Sequence, residues 1–408
     1  EAGKLYNVLP SGNRAPDNKG GAGYDQTRAD FDFDRGSNAA ATRINSSGLI
    51  EKYRENLALS SNDISTQSTF WGSNQSGVTT QNSAVAPDGT TTASTITSPG
   101  TQYGGISQAI AMSASRYTYS VYLKAVSGTP LVSLIFTDTF GVHKKDFTLN
   151  TSWQRYDFTF TLATGNNSIY ITSAQAVSWN AWGAQFELGL VATDVLTSGA
   201  TTAKAGVLID LPRINYDANG ENGALLLEPS RQQLIQFSEY FGDSYWTKNN
   251  VSVTDNAITS PEGVDNACLL IENTATSTHE ITKSFTNTLN ADYCISIFAK
   301  ANTRDSIRLS SSDGGFVYFN LVTGEKGTET NATGTIEPFN NGWYKCSVVF
   351  EALGTNGSAS IRIAESDGVT SYTGQNKSIY IFGIQYEAGS YSTSYIPNHS
   401  GTGGVTRA

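Results

Sequence analysis

The sequence predicts an all-β fold: two tandem antiparallel β-sandwich domains of the jelly-roll type, with an extended N-terminal arm and a linker. Three observations support this prediction: alternating apolar residues, turn residues between the alternating runs, and a set of motifs that occurs twice. In Tyr119-Val121-Leu123 and in Ile295-Ile297-Ala299 every second residue is apolar. A period of two places one face of a strand in a core and the other in water, as in a sandwich.

The composition favours strands over helices. The 408 residues include 39 glycines and one methionine, and only 15% of them are charged. Long amphipathic helices are rich in Ala, Leu, Glu and Lys. Thr, Val, Ile and aromatic residues favour strands, and Gly and Asn favour the turns between them. A chain of this length favours two or three domains.

Five motifs occur twice in the same order, which predicts an internal duplication. The matched pairs are Asn56–Trp71 with Gln233–Trp246, Pro87–Ile96 with Pro261–Leu270, Tyr117–Ala125 with Tyr293–Ala301, Asn150–Phe160 with Asn340–Phe350, and Trp179–Gly189 with Ile379–Gly389. The separation between copies grows from 175 positions at Trp71 and Trp246 to 200 at Gly183 and Gly383. We therefore expect two insertions in the second copy, one between the third and fourth motifs and one at 366–378.

These motifs divide the chain into five segments. We expect residues 1–55 to form an anchoring arm, and residues 56–200 and 233–400 to form the two jelly-roll domains. We expect residues 201–232 to form a linker packed on the domains, and residues 401–408 to form a C-terminal tail. The first 30 residues are rich in Gly, Asn and Asp, which is typical of a flexible arm or of a segment ordered by a partner. The linker contains Leu225, Leu226 and Leu227 in succession, and such a run is expected to be covered.

Charge and hydropathy exclude two classes of partner. The net charge is −10 and no basic run occurs, so a nucleic-acid partner is not expected, because binding phosphates requires clustered Lys and Arg. No apolar run approaches the roughly 20 residues of a membrane span, so membrane insertion is not expected either.

The cysteines suggest neither a disulfide framework nor a zinc site. There are three, Cys268, Cys294 and Cys346, an odd number without regular spacing. This pattern is typical of a chain that folds in a reducing cell. Cys346 lies in an alternating run on the side of Val348 and Phe350, so we interpret it as a small buried apolar residue.

No catalytic, cofactor-binding or metal-binding set is recognised, and we expect the chain not to be an enzyme. His143, His279 and His399 each stand alone in a turn or tail, without metal-ligand spacing. Glu187 and Glu387 are equivalent residues of different copies, whereas glycoside hydrolysis needs two carboxylates in one cleft. We expect each to bind backbone N–H groups or an arginine. The turns Asp313-Gly314-Gly315 and Asp367-Gly368 could supply calcium ligands, but ordinary turn chemistry explains them better.

Exposed aromatic residues are the remaining candidates for binding, since sugars stack on aromatic rings. Tyr103, Trp179, Tyr318 and Tyr372 fall in or near loops. Trp179 matches Ile379 in the second copy, so core packing is the alternative for that residue. The pattern assigns none of the four to a ligand.

The lead-in and closing segments resemble those of tailed-phage virion proteins. The residues that carry the likeness are LYNVLPSGN at 5–13, DFDFDRGSNAAATRINSSGLIE at 30–51, LPRINYDANGENGALLLEPSRQQLIQFSEYF at 211–241 and QYEAGSYSTSYIPNHSGTGGVTRA at 385–408. They are similar to segments of fibre and head-fibre proteins of crAss-like and related phages, which carry carbohydrate-binding-module-like jelly rolls. The first copy departs from that pattern, because it lacks its own PRxxY…LLLEP lead-in and its close at 191–205 is degenerate.

This resemblance implies a function and a set of partners. It implies a head-fibre, tail-fibre or decoration protein on the virion surface, assembled in the host cytoplasm and contacting host surface glycans. It also implies a homotrimer, attached to other virion proteins through the N-terminal arm. The alternatives are a dedicated carbohydrate-binding tail protein that recognises the host receptor and, third, a polysaccharide depolymerase.

Overall fold

The computed structural model describes residues 4–5, 31–32, 40–101, 103–138, 141–162, 165–209, 211–401 and 404–407. Within these ranges every regular element is a β-strand except one short 3-10 turn at Asn340–Gly342. Most of the predicted arm, residues 1–55, lies outside the described residues. No helix in the described ranges is long and apolar enough to span a membrane.

The strands are numbered in chain order. Those before residue 206 are β1 (Lys4–Leu5), β2 (Phe31–Asp32), β3 (Thr42–Ile44), β4 (Ile50–Lys52), β5 (Arg54–Asn56), β6 (Gly72–Asn74), β7 (Val78–Ala84), β8 (Ala93–Pro99), β9 (Gly104–Met112), β10 (Ser115–Ala125), β11 (Leu131–Asp138), β12 (Gly141–Thr148), β13 (Gln154–Leu162), β14 (Gly165–Ser173), β15 (Ala176–Leu188) and β16 (Ala203–Ala205). Those after it are β17 (Ile214–Asn215), β18 (Ala224–Leu225), β19 (Arg231–Gln233), β20 (Thr247–Asn249), β21 (Val251–Ile258), β22 (Ala267–Glu272), β23 (Thr276–Thr286), β24 (Asp292–Ala301), β25 (Ser306–Ser310), β26 (Phe316–Asn320), β27 (Glu325–Thr330), β28 (Thr333–Phe339), β29 (Trp343–Glu351), β30 (Asn356–Ala364), β31 (Ser371–Thr373), β32 (Ser378–Ala388) and β33 (Val405–Arg407).

The chain forms two units, and the first comprises Arg54–Ala205 with residues 399–401. It is a sandwich of two five-stranded antiparallel sheets, in the orders β13-β10-β15-β8-β7 and β12-β11-β14-β9-β6. Its core is filled from both sheets by buried apolar side chains, among them Tyr119, Phe136, Phe186 and Trp179. Hairpins joining sequential strands and longer crossings between the sheets give the jelly-roll arrangement.

The second unit comprises residues 40–53, 206–398 and 404–407. Its sheets have the orders β28-β29-β24-β32-β22-β21 and β27-β26-β25-β30-β23-β20, and β31 pairs with β23. These orders repeat those of the first unit strand for strand, with β27, β28 and β31 added. The predicted fold class and the duplication are therefore confirmed. The first expected insertion supplies β27 and β28, which extend one sheet each, and β31 lies in the second.

A β-bulge occurs at the same place in both units. The register of the central strand pair shifts between Ser120 and Tyr122 in the first unit and between Ser296 and Phe298 in the second. The bulged strand carries Gly183 at φ +67° in one case and Gly383 at φ +60° in the other. Glycine adopts this left-handed conformation without the Cβ strain of other residues, which explains why both copies have it.

The linker forms a short hairpin between β17 and β18. The structure differs from the sequence expectation about its leucine run. Leu226 is half-buried, but Leu225 is 43% exposed and Leu227 is 78% exposed. Successive side chains of an extended chain point to opposite sides, so Leu225 and Leu227 share one side and Leu226 lies on the other.

Candidate functional site

A row of side chains crosses the outer face of one sheet in the second unit. In β25 and β30 the apolar residues alternate into the core, so Arg308 and Arg362 point away from it. The strand register places Arg362 opposite both Glu280 of β23 and Arg308, and places Arg308 opposite Tyr318 of β26. The result is an outward-facing row in the order Glu280, Arg362, Arg308, Tyr318, which we call the arginine row.

The first unit has an equivalent row with different chemistry. The two rows can be matched through the strands that follow the equivalent residues Trp71 and Trp246. In the first unit β6 follows Trp71 and pairs with β9. In the second unit β20 follows Trp246 and pairs with β23 in the same register. Reading across the sheet from there gives the equivalent side chains, which are Gly105, Thr172, Ser133 and Asp146. The same scaffold therefore carries two arginines in one copy and two hydroxyl residues in the other.

One arginine of the row is neutralised. Glu280 forms an ion pair with Arg362 and also accepts hydrogen bonds from Ser360 Oγ at 2.9 Å and Asn249 Nδ2 at 3.2 Å. Burial opposes ionisation of this carboxyl group, but the Arg362 guanidinium outweighs it and lowers the pKa of Glu280. Glu280 is therefore ionised at neutral pH and holds Arg362 in place.

The other arginine has no such partner. The Cζ atom of Arg308 lies 4.3 Å from the ring centroid of Phe316 and 6.0 Å from that of Tyr318. Among the described residues Arg308 makes no ion pair, and its Nε atom is buried without a hydrogen-bond partner. Burial and then the charge of Arg362 lower the pKa of Arg308. The row therefore presents two guanidinium groups and one carboxylate.

In the first unit the charges of the equivalent row are paired with each other. Ser133 Oγ donates to Asp146 Oδ1 at 2.5 Å, and Lys144 Nζ lies 3.0 Å from the same oxygen. The Lys144 ammonium also lies 4.8 Å from the ring centroid of Tyr103. Tyr103 is 40% exposed, and the Thr172 side chain is fully buried. The charges of this row are thus paired within the unit.

The structure separates the four aromatic candidates. Tyr318 belongs to the arginine row, where it is 4% exposed, and Tyr103 is the exposed ring beside the equivalent row. Trp179 is fully buried in the first core, as its match with Ile379 indicated. Tyr372 is also buried, and its hydroxyl donates to Glu272 Oε2 at 2.6 Å.

The sequence interpretation missed Arg308 and Arg362. A signal for them exists, because in SIRLS at 306–310 and SIRIA at 360–364 the arginine stands at a polar position of an apolar alternation. That alternation indicates an outward arginine on each strand. It does not indicate that the two strands are neighbours.

Glu187 and Glu387 have the structural role that the sequence indicated. Glu387 accepts from Thr393 N at 2.9 Å, from Thr393 Oγ1 at 2.7 Å and from Gln385 Nε2 at 2.6 Å. Glu187 makes the same three contacts with Thr193 and Gln185. Burial raises the pKa of Glu187. Each carboxylate fastens the segment after the last long strand to the sheet.

The histidines and the aspartate turns are engaged in local contacts. His143 lies in β12 and His279 in β23, so the expectation that they stand in turns is wrong. Pairing with neighbouring strands places His143 opposite Phe136 and His279 opposite Ile363. His279 is fully buried, and the His399 carbonyl accepts from Ser115 Oγ at 2.9 Å. Asp313 accepts from Asn287 Nδ2 at 3.0 Å, and Asp367 from the backbone N–H of Thr328 at 2.9 Å. Within the described ranges no three His, Cys, Asp or Glu side chains are grouped for a metal ion.

The three cysteines are buried and unpaired with one another. Cys346 is fully buried in the second core, as expected. Burial raises the pKa of the Cys294 thiol to about 12, so it is not a thiolate at neutral pH.

Four residues from distant segments meet in a network on the second unit, which we call the latch. Arg213 Nη1 donates to Glu228 Oε2 at 2.9 Å, and Arg407 Nη1 lies 3.5 Å from the same oxygen. Ser394 donates to Glu228 through its N–H at 2.7 Å and its hydroxyl at 2.6 Å. Burial opposes ionisation of Glu228, but Arg407 lowers its pKa, so the latch carries full charges at neutral pH. It ties the linker and the C-terminal strand β33 to the sandwich.

A cleft of about 390 Å³ lies beside the latch. Phe298, Phe339 and Tyr216 supply its aromatic walls. Its cations are already engaged, because Arg43 Nε lies 2.6 Å from Glu51 and Lys345 Nζ donates to the Thr393 carbonyl at 2.9 Å. The cleft has the volume of a small-molecule site. However, its cations are paired within the unit, whereas Arg308 in the arginine row has no ion-pair partner among the described residues, so the arginine row is the better candidate for binding a charged ligand.

No protein-family model and no curated protein sequence matches this chain. Solved structures similar to it include the tandem CBM22-1–CBM22-2 domain of Paenibacillus barcinonensis Xyn10C, with 13% identity over 86% of this chain and 99% of that one and a TM-score of 0.32. A family 11 carbohydrate-binding module of Clostridium thermocellum, in complex with a β-1,3-1,4-mixed-linked tetrasaccharide, has 12% identity over 34% of this chain and 98% of that one, at a TM-score of 0.26. The enzymatically active domain of bacteriophage CBA120 tailspike protein 4 has 14% identity over 32% of this chain and 21% of that one, also at 0.26. Likeness at this level carries no information about function.

Proposed function

We propose that this chain is a non-enzymatic structural protein of a bacteriophage virion, a surface-exposed head-fibre, tail-fibre or decoration protein whose sandwich domains contact host glycans. The observation that carries the proposal is the latch. Arg213, Glu228, Ser394 and Arg407 belong to the segments LPRINY, LLLEP, TSYIP and VTR, which are the segments that resemble phage fibre proteins. Their convergence gives the shared motifs one physical role.

The latch suits a domain that is one of several joined end to end along a fibre. It fixes the chain entering the sandwich and the chain leaving it to the same buried point, with Arg407 1% exposed and Arg213 6% exposed. Breaking a buried ion pair leaves an unpaired charge, which costs several kcal/mol. A projecting fibre needs this kind of fixed entry and exit.

Assembly is the second part of the proposal. We expect a homotrimer whose residues 1–55 attach to other virion proteins, located on the virion surface after assembly in the host cytoplasm. Leu225 and Leu227 support it, because an exposed leucine pair on a short hairpin gains stability when a neighbouring subunit covers it.

A dedicated receptor-binding tail protein is the second candidate function. The observation that favours it is the difference between the equivalent rows of the two units. Two sandwiches of the same strand order with different outer faces suit recognition of two parts of a surface polysaccharide. A depolymerase is the third reading, and release of reducing ends from host capsule by the purified chain would establish it.

The location of the protein tests the proposal. Mass spectrometry of density-purified virions should find this chain, and gold-labelled antibodies should mark the virion surface in electron micrographs. Light scattering of the full-length chain should give the mass of three copies. Absence from purified virions would overturn the structural role, and a monomer in the presence of its virion partners would overturn the trimer.

A further inference from the structure

We propose that the arginine row of the second unit binds the anionic group of an acidic surface polysaccharide, a carboxylate or a phosphate, through Arg308 and Arg362. This inference rests on the glycan contact in the proposed function and names the class of glycan.

The first step is the uncompensated charge. Arg308 and Arg362 are directly opposite each other on neighbouring antiparallel strands. Like charges in such a pair destabilise a sheet. Glu280 forms its ion pair with Arg362, and in the described part of the chain Arg308 makes no ion pair. The Tyr318 hydroxyl and the more distant charge of Glu280 offset burial and the charge of Arg362 only in part, since the pKa of Arg308 stays lowered. An external anion would supply the missing negative charge.

The second step is preorganisation. Phe316 lies against the Arg308 guanidinium at 4.3 Å from Cζ to the ring centroid, and Glu280 fixes Arg362. A guanidinium held in this way loses little side-chain freedom when it binds. Its planar set of donors matches the two oxygens of a carboxylate or a phosphate.

The third step is the comparison between the copies. Ser133 and Thr172 occupy the equivalent positions in the first unit, and that sandwich has the same strand order. The fold therefore does not require arginines at these positions. The arginine row is a property of one copy, and its chemistry calls for a ligand.

A polysaccharide fits the row better than a nucleic acid. Nucleic acids need several cations along the backbone, whereas the row offers two and the whole chain carries a net charge of −10. One anionic group per sugar repeat is enough for a two-arginine site.

Calorimetric titration of the full-length chain tests the inference. The probes are a hexagalacturonate for the carboxylate, a phosphorylated mannose oligosaccharide for the phosphate, and maltohexaose as the neutral reference. We expect one acidic probe to bind at least about 10-fold more tightly than maltohexaose, since a charge-assisted bidentate contact has this order of effect. The preferred acidic probe identifies the source of the anion.

Three variants locate the site. Arg308→Gln should weaken binding of the acidic probe about 10-fold, and Arg308→Lys should weaken it less. Lys204→Gln removes the same charge at an exposed position in the first unit and should leave the affinity unchanged. Near-ultraviolet circular dichroism should be the same for all variants, which separates loss of binding from loss of structure.

Two results would overturn the inference: equal affinity for acidic and neutral probes, including no binding of any of them, and equal affinity of Arg308→Gln and the unchanged chain. Virion mass spectrometry keeps this failure separate from failure of the proposed function. If the chain is found in virions but binds no acidic probe, only the inference about the ligand fails. If the chain binds the probe but is absent from virions, only the proposed virion role fails.

Discussion

Asn56 and Gln233 hold equivalent places in the two units and make the same four hydrogen bonds with side chains of different length. Gln233 Oε1 accepts from the N–H groups of Tyr386 and Ile235, and its Nε2 donates to the carbonyls of Ile384 and Ile396, at 2.9 to 3.2 Å. Asn56 bonds in the same way to backbone groups of Phe186, Ala58, Ala184 and Leu196. Each amide connects the entering strand, the last long strand and the closing segment.

Gln233→Leu should therefore destabilise the second unit strongly. The substitution leaves four buried backbone groups without a partner, and each orphaned group costs at least about 1 kcal/mol. We expect the free energy of unfolding to fall by about 3 kcal/mol or more, measured by urea denaturation. Gln232→Leu is the control, because Gln232 is the exposed neighbour. Equal effects of the two changes would contradict the role of the buried amide.

Lys52 and Glu262 give the second unit a pH dependence. Lys52 Nζ lies 2.6 Å from Glu262 Oε1 and 2.9 Å from Glu239 Oε1. Burial, and then the charge of Glu239, raise the pKa of Glu262 to about 7. Burial alone would lower the pKa of Lys52, but the charges of Glu239 and Glu262 outweigh it and raise that pKa. Lys52 is thus charged while Glu262 titrates.

The sign of the effect follows from the raised pKa of Glu262. Between its unfolded value near 4.5 and about 7 the folded chain binds more protons than the unfolded chain, so stability falls as pH rises through this window. Relative to Glu262→Gln, which cannot titrate, we expect the unchanged chain to lose about 3 kcal/mol across it. Urea denaturation of both proteins at several pH values between 4.5 and 8 measures the difference. Parallel profiles for the two proteins would show that Glu262 keeps its ordinary pKa.

Arg308 and Arg362 should respond in opposite ways to the same substitution. Arg308→Met removes a like-charge neighbour while keeping apolar contact with Phe316, and should raise the free energy of unfolding by about 1 kcal/mol. Arg362→Met leaves Glu280 without its counter-charge and should lower it by about 2 kcal/mol. Thermal and urea denaturation measure both. A loss of stability in Arg308→Met would show that its charge is compensated.

The bulge glycines provide a matched pair. Gly183→Ala and Gly383→Ala both place a Cβ at positive φ, which costs about 1 kcal/mol. The added Cβ would lie 3.2 Å from Tyr395 Cζ at Gly383, but no closer than 3.6 Å to any side-chain atom at Gly183. We therefore expect the larger loss of stability at Gly383, measured by urea denaturation of the two variants. A larger loss at Gly183 would contradict this ranking.

The sequence predicted the sandwiches well because alternation along a strand is a local property. Val121 and Ile297 are buried, as expected, although the preceding Ser120 and Ser296 are buried as well. The duplication also predicted where the second copy would be longer, and the strands β27, β28 and β31 lie there. Loops accept insertions without disturbing the buried strands, so the matched motifs keep their order.

The functional site was less accessible from the sequence. Of the four aromatic candidates, Trp179, Tyr318 and Tyr372 are buried and Tyr103 is exposed. A loop-like sequence neighbourhood does not reveal which way a ring points. Tyr103 and Tyr318 do lie at the equivalent rows. The arginines between them were missed, since their significance depends on a neighbour that is distant in sequence.

By itself the sequence determined the all-β class, the two copies and the places of the insertions. Side-chain alternation and turn formation depend only on neighbouring residues, and repeated motifs are visible without a structure. The tertiary structure decided which distant residues meet, such as Arg308 with Arg362 and Arg213 with Arg407. Strand order and register arise from the packing of the whole core, so no short stretch of sequence contains them.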